Sequence, residues 1–130
     1  MGYIAFVPNE ASRRMVLQNF PPKFPDVICH HVTLEFGVPP ERLEAVRDRF
    51  DGGLFEVKGI VSDEEKLEAL IVYVNCVHTR PDGGIYHMTH SLDRSKGAKP
   101  VHSNELVKQT SNWKMLNGWI NLVGTIEYFN

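Results

Sequence analysis

Two short segments in which polar and apolar residues alternate constrain the fold of this 130-residue chain more than any other feature. In Val27 to Phe36, residues Val32, Leu34 and Phe36 fall on one side of an extended chain and His31, Thr33 and Glu35 on the other, because successive side chains of a strand point to opposite faces. The pattern returns in Ile85 to Leu92, where His87, Thr89 and Ser91 oppose Tyr86, Met88 and Leu92. Each segment reads as a strand with one face buried and one face open.

The rest of the chain supplies the elements to bury those faces. Tyr3 to Val7 reads as a strand stopped by Pro8, and Asn9 caps a helix over Glu10 to Asn19 with Ala11, Met15 and Val16 on its apolar side. Pro21, Pro22 and Pro25 enforce a loop. Pro39-Pro40 opens a helix to about Phe50, with Leu43, Val46 and Phe50 at helical spacing and Asp51-Gly52-Gly53 ending it. Leu54 to Val61 and Leu67 to Val77 read as strands joined by an acidic turn, and Pro81-Asp82-Gly83-Gly84 signals another turn. After a polar loop over Asp93 to His102, Ser103 or Asn104 caps a short helix through Lys108, and Trp119 to Phe129 reads as the closing strand. A weak echo between Phe55 to Val61 and Asn121 to Ile126 hints at two similar lobes. This order predicts one α+β domain over residues 1–130, with two small antiparallel sheets facing each other across a groove.

Composition narrows the function classes. With 42% hydrophobic residues the chain can bury a core without disulfides. Its formal charge of −2 argues against duplex DNA as a partner, which requires a basic face, but leaves room for a small anionic ligand. Cys29 and Cys76 both lie in apolar runs and read as reduced core residues. Nothing resembles a secretory signal or a membrane span, so a cytoplasmic protein is expected.

The His-x-Thr pairs carry the chemistry. Imidazole is the side chain best suited to proton transfer near neutral pH, and two of them can serve as base and acid in one reaction. A threonine two positions along lies about 7 Å up the strand, within reach of a non-bridging oxygen of a phosphate held between the rings. Such a site works by positioning and charge stabilisation, so neither a metal nor another cofactor is called for. With six histidines and five threonines one His-x-Thr arises by chance ~0.2 times; two copies, both in strand-like segments, are far harder to obtain. His87, His90 and His102 raise a zinc alternative, set aside because positions three apart on a strand face opposite ways.

At His31-Val32-Thr33-Leu34 the sequence resembles the first signature of the 2H phosphoesterase superfamily. His87, Met88 and Thr89 match the second, which departs at His90, where the pattern has an apolar residue. The resemblance implies a bilobal two-histidine fold over the whole chain, with one motif in each lobe. It implies a phosphoric diester hydrolase similar to enzymes that open 2′,3′-cyclic nucleotides or RNA ends, ligate RNA, trim its 3′ end, or, in phage, degrade cyclic oligonucleotide defence signals.

The expected activity is therefore metal-independent hydrolysis of cyclic or 3′-terminal ribonucleotide phosphodiesters, with His31, Thr33, His87 and Thr89 as catalytic residues. The alternatives are a phage-type hydrolase of cyclic oligonucleotides and an inactive nucleotide-binding module. Tyr3 and Tyr86 are candidates to stack on a base, although either ring also suits the core, and Tyr3 is preferred. Ser91, Lys96, Lys99, Ser103 and Asn104 are candidates for phosphate contacts. His30, opposite His31, and His78 read as partly buried structural histidines. The expected partner is a small nucleotide or RNA end; oligomeric state is left open.

Overall fold

The first alternating segment belongs to two sheets rather than one. In the computed structural model, which describes residues 1–130, Val27 to Phe36 divides into β2 (Asp26–Val27) and β3 (Val32–Val38). The closing run divides likewise into β7 (Lys114–Asn121) and β8 (Gly124–Phe129). The other strands are β1 (Gly2–Pro8), β4 (Phe55–Ser62), β5 (Leu67–Val74) and β6 (His87–Leu92). They form a three-stranded sheet ordered β3-β1-β8 and a five-stranded sheet ordered β2-β6-β5-β4-β7, with every pairing antiparallel. The architecture is α+β, and the chain passes between the sheets within each of the two apolar runs. Alternation alone does not disclose such a crossing, because the apolar pattern continues through it.

The helices hold the crossings. Helix α1 (Glu10–Asn19) starts where expected, with Asn9 Oδ1 accepting from the Ser12 amide at 2.8 Å. Its inner face differs from expectation: Ser12 and Val16 are buried while Ala11 and Met15 are exposed. Ser12 Oγ accepts from the Val123 amide at 2.8 Å, and Arg13 Nε donates to the Cys29 carbonyl at 2.9 Å. One helix thus pins both passages. Helix α2 (Leu43–Arg49) follows a 3-10 turn at Pro40–Arg42 and buries Val46, with Phe50 beyond its end.

One apolar cluster joins the sheets. Ile4, Val32 and Leu34 of the smaller sheet meet Val57, Leu70, Val72 and Met88 of the larger, together with Val16 and Phe50. Phe6 stacks on Phe55 with ring centroids 3.9 Å apart. The opposite face of β5, bearing Ala69 and Ile71, is covered by Ala98, Leu106 and Val107 around helix α3 (Ser103–Leu106). The larger sheet is thereby covered on both faces over β5, while its edge strand β7 stays largely exposed.

Two bulges alter the expected faces. Opposite β1, strand β3 steps from Thr33 to Glu35, and the extra residue at Leu34 reverses the alternation beyond it. Phe36 then leaves the core side and emerges 48% exposed. Opposite β5, strand β6 steps from Thr89 to Ser91. Ser91 is therefore turned to the buried face, where its hydroxyl bonds the Glu68 carboxylate, and Leu92 takes the other face. Cys29 is a buried free thiol as read, but Cys76 is exposed. Asn75 and Cys76 both have positive φ (50° and 69°), as a two-residue hairpin turn requires. The sheets differ in size, and Gly59 lies at a bulge whereas Gly124 opens β8, so the two glycines of the echo occupy different backbone settings.

Candidate functional site

Backbone pairing brings the two His-x-Thr motifs together. Past β2 the chain keeps company with β6: the Ile28 amide donates to the His90 carbonyl and the Cys29 amide to the Thr89 carbonyl, both at 2.9 Å. Cys29 then adopts φ 43° and turns the chain away. Two residues later His31 stands immediately before β3. The first motif thus begins beside the second, and α1 fixes the turn through Arg13.

The result is a cavity of about 260 Å³ lined by Thr33 of β3 with His31 just before that strand, and by His87 and Thr89 of β6. Tyr3 and Phe36, directly paired across β1 and β3, form an aromatic wall. Ile28, Pro100, Val101 and Asn104 complete the lining. An imidazole and a hydroxyl from each side can grip one tetrahedral oxyanion, and the flat rings at the mouth suit a nucleobase.

Each imidazole is held by identifiable partners. His87 Nδ1 donates to the Ile85 carbonyl at 2.7 Å, a bond that assigns the proton of the neutral ring to Nδ1 and leaves Nε2 free to take or give one. Burial lowers the His87 pKa, partly offset by that carbonyl, and Arg80 lowers it further. His31 Nδ1 lies 2.9 Å from His30 Nδ1 in a bond where one ring donates and the other accepts. The His31 ring also packs against Tyr3 at 5.4 Å and Phe129 at 5.9 Å between centroids. Burial, then the charges of His30 and His87, lower its pKa from 6.5 to about 4. His31 is neutral at physiological pH, and the mutual repulsion disfavours two imidazolium ions together.

The hydroxyls are equally constrained. Thr33 is buried at the base of the cleft. Thr89 Oγ1 shares a 2.9 Å hydrogen bond with Ser103 Oγ and donates to the Pro100 carbonyl at 3.4 Å. Ser103 is wholly buried, so it supports Thr89 from behind instead of lining the cavity as expected. Asn104 does line it.

The other candidates fall elsewhere. Tyr86 is a core residue, 4% exposed, because it shares the face of Met88. Ser91 is sealed against Glu68 by the β6 bulge. Lys96 donates to the Glu65 carbonyl at 3.2 Å on the far side of its loop, and the Lys99 side chain is outside the lining although its amide donates to His102 Nδ1 at 3.2 Å. His30 is exposed and bonded to His31 instead of lying on the opposite face, because Cys29 to His31 is a turn and not a strand. His78 is half-buried between Tyr73 and Trp113, as a structural histidine would be. His90 is wholly buried with Nε2 bonded to the Phe20 carbonyl at 2.7 Å, which keeps it away from His87.

Phe36 and Phe129 escaped the sequence reading. Phe36 depends on a bulge that alternation cannot foresee, and Phe129 reaches His31 only through the long-range pairing of β8 with β1. Arg80, which perturbs His87, sits in a turn whose composition signals only a turn. No helix is long and apolar enough to cross a membrane. Comparison of the chain with family models, curated proteins and solved structures finds no match.

Proposed function

We propose that the protein is a metal-independent phosphodiesterase acting on ribonucleotide phosphodiesters, cyclic or 3′-terminal, by paired-histidine acid–base catalysis. The observation that supports this most is the convergence of His31, Thr33, His87 and Thr89, from two sheets, on a single cavity of about 260 Å³. In this reading His31, neutral because of its depressed pKa, takes the proton of an attacking water. His87, whose pKa is lowered by burial and only partly restored by the Ile85 carbonyl, takes up a proton at Nε2 as the phosphate anion binds beside it and passes that proton to the departing ribose oxygen. Thr33 donates to one non-bridging oxygen, Thr89 turns its hydroxyl proton from the Pro100 carbonyl to another while accepting from Ser103, and Tyr3 and Phe36 flank the base. Acid and base are typically worth about 10²–10⁴ each in rate.

The test is hydrolysis of 2′,3′-cyclic mononucleotides, RNA with a cyclic-phosphate end, and cyclic oligonucleotides, with EDTA present. Turnover abolished by either His31→Ala or His87→Ala supports the reading. Saturable nucleotide binding without product in the wild-type protein would replace it with a binding module, and turnover lost on adding EDTA would overturn the metal-free mechanism.

A further inference from the structure

Beside the two-histidine cleft, and sharing Phe36 and Asn104 with it, lies a second cavity of about 420 Å³ whose charged lining is Arg80, Asp82 and Lys108. Its unusual member is Arg80. The side chain is only 6% exposed, and its Nη1 is buried with no hydrogen-bond partner. A buried charge without full pairing is costly, and an acceptor that completes its pairing offsets part of that cost. The guanidinium packs over the Phe36 ring at 5.0 Å. Gly84 makes room for it: a Cβ at that position would fall 2.2 Å from Arg80 Nη2.

The internal counter-charge is incomplete. Asp82 Oδ1 accepts from Arg80 Nε at 3.1 Å and from the Gly84 amide at 2.8 Å, so one carboxylate spends part of its capacity holding the turn. Lys108 engages only the exposed Glu105, at 3.3 Å. Two cations and one carboxylate line this cavity, which adjoins the proposed phosphate site. A phosphate is the ligand whose several acceptors match the part of the guanidinium that lines the cavity and an ammonium together.

Resting on the function proposed above, we propose that the Arg80–Lys108 cavity is a subsite for a second phosphate, so that the substrate carries two phosphates flanking one nucleoside. Three substrates supply that chemistry: a 2′,3′-cyclic mononucleotide with a 5′-phosphate, an oligonucleotide with a cyclic-phosphate end, and a cyclic oligonucleotide. A 2′,3′-cyclic mononucleotide with a free 5′-hydroxyl leaves the subsite empty.

Calorimetric titration with adenosine 3′,5′-bisphosphate and with adenosine 3′-monophosphate tests the subsite without requiring turnover. The bisphosphate is expected to bind about tenfold tighter or better, the size of a charge-assisted phosphate contact. Lys108→Ala and Arg80→Gln are expected to bring the affinity ratio towards one, whereas Arg14→Ala, which removes an exposed charge from α1, leaves it intact. If the buried Arg80 variant fails to fold, Lys108→Ala decides. A ratio near one in the wild type, or a ratio that survives Lys108→Ala, overturns the subsite. Comparing kcat/KM for 2′,3′-cyclic AMP with that for its 5′-phosphorylated form, the cyclic-phosphate-ended dinucleotide and cyclic dinucleotides identifies the source of the second phosphate. Preference for any two-phosphate substrate supports the subsite, and equal rates for all contradict it. Absence of all hydrolysis defeats the catalytic reading alone, since the binding ratio still judges the subsite.

Discussion

Replacing His31 with glutamine should flatten part of the protein's loss of stability in acid. The folded ring has its pKa lowered from 6.5 to about 4 by burial and by the nearby charges of His30 and His87. The unfolded chain therefore takes up this proton first. Stability from the neutral ring is fully present above about pH 6.5 and is lost as pH falls towards about 4, where the folded ring also protonates. At about 1.4 kcal/mol per decade the whole effect is ~3 kcal/mol, of which ~2 kcal/mol is lost between about pH 7 and about pH 5. Urea unfolding followed by circular dichroism at both pH values, for wild type and His31→Gln, measures it. His87 and His90 are also lowered by burial and destabilise both proteins in acid, so the difference between the two isolates His31. Wild type should lose ~2 kcal/mol more than the variant; parallel losses would refute the account of the His31 environment.

Phe6→Ala removes the ring that stacks on Phe55 at 3.9 Å between the sheets and should cost about 3–5 kcal/mol in chemical unfolding. Asn9→Ala deletes the α1 cap and should cost about 1 kcal/mol by the same measurement. Ser103→Ala withdraws the hydroxyl that bonds Thr89; if Thr89 grips the phosphate in the transition state, kcat should fall several-fold with KM little changed, while a merely structural role would alter stability alone. Arg13→Met releases the Cys29 carbonyl and should lower kcat through misplacement of His31, with a smaller effect on the thermal midpoint than Phe6→Ala has.

Local chemistry was legible wherever it needed only neighbours in sequence. The Asn9 cap, the Pro39-Pro40 helix start, the Pro81 to Gly84 turn and the two His-x-Thr strands all follow from residues a few positions apart. The site converged because Thr33, His87 and Thr89 precede either bulge on their strands and the Cys29 turn sets His31 beside them. Ser91 and Phe36 were misplaced because each stands just past a bulge, and the extra residue that turns them is defined by the partner strand. Tyr86 obeys the alternation and belongs to the core, as that face required. The division of Val27 to Phe36 and of Trp119 to Phe129 between sheets was illegible for a similar reason. Strand-forming residues continue through each crossing, and the helix that fixes the crossings acts through Ser12 and Arg13, whose partners lie far along the chain.

The pairing of β1 with β8 also sets when the cleft can exist. Tyr3 lies opposite Phe129, and both rings wall His31. Closing that contact spans nearly the whole chain, a loop whose entropy must be overcome before the contact contributes anything. The β4–β5–β6 meander that carries His87 and Thr89 pairs strands that follow one another in sequence, so its contacts close far smaller loops. His31 acquires its aromatic surroundings, and with them its depressed basicity, only once the last strand docks. The aromatic burial of His31 thus depends on the last strand, and a chain halted before β8 would hold both motifs without the environment that tunes the first.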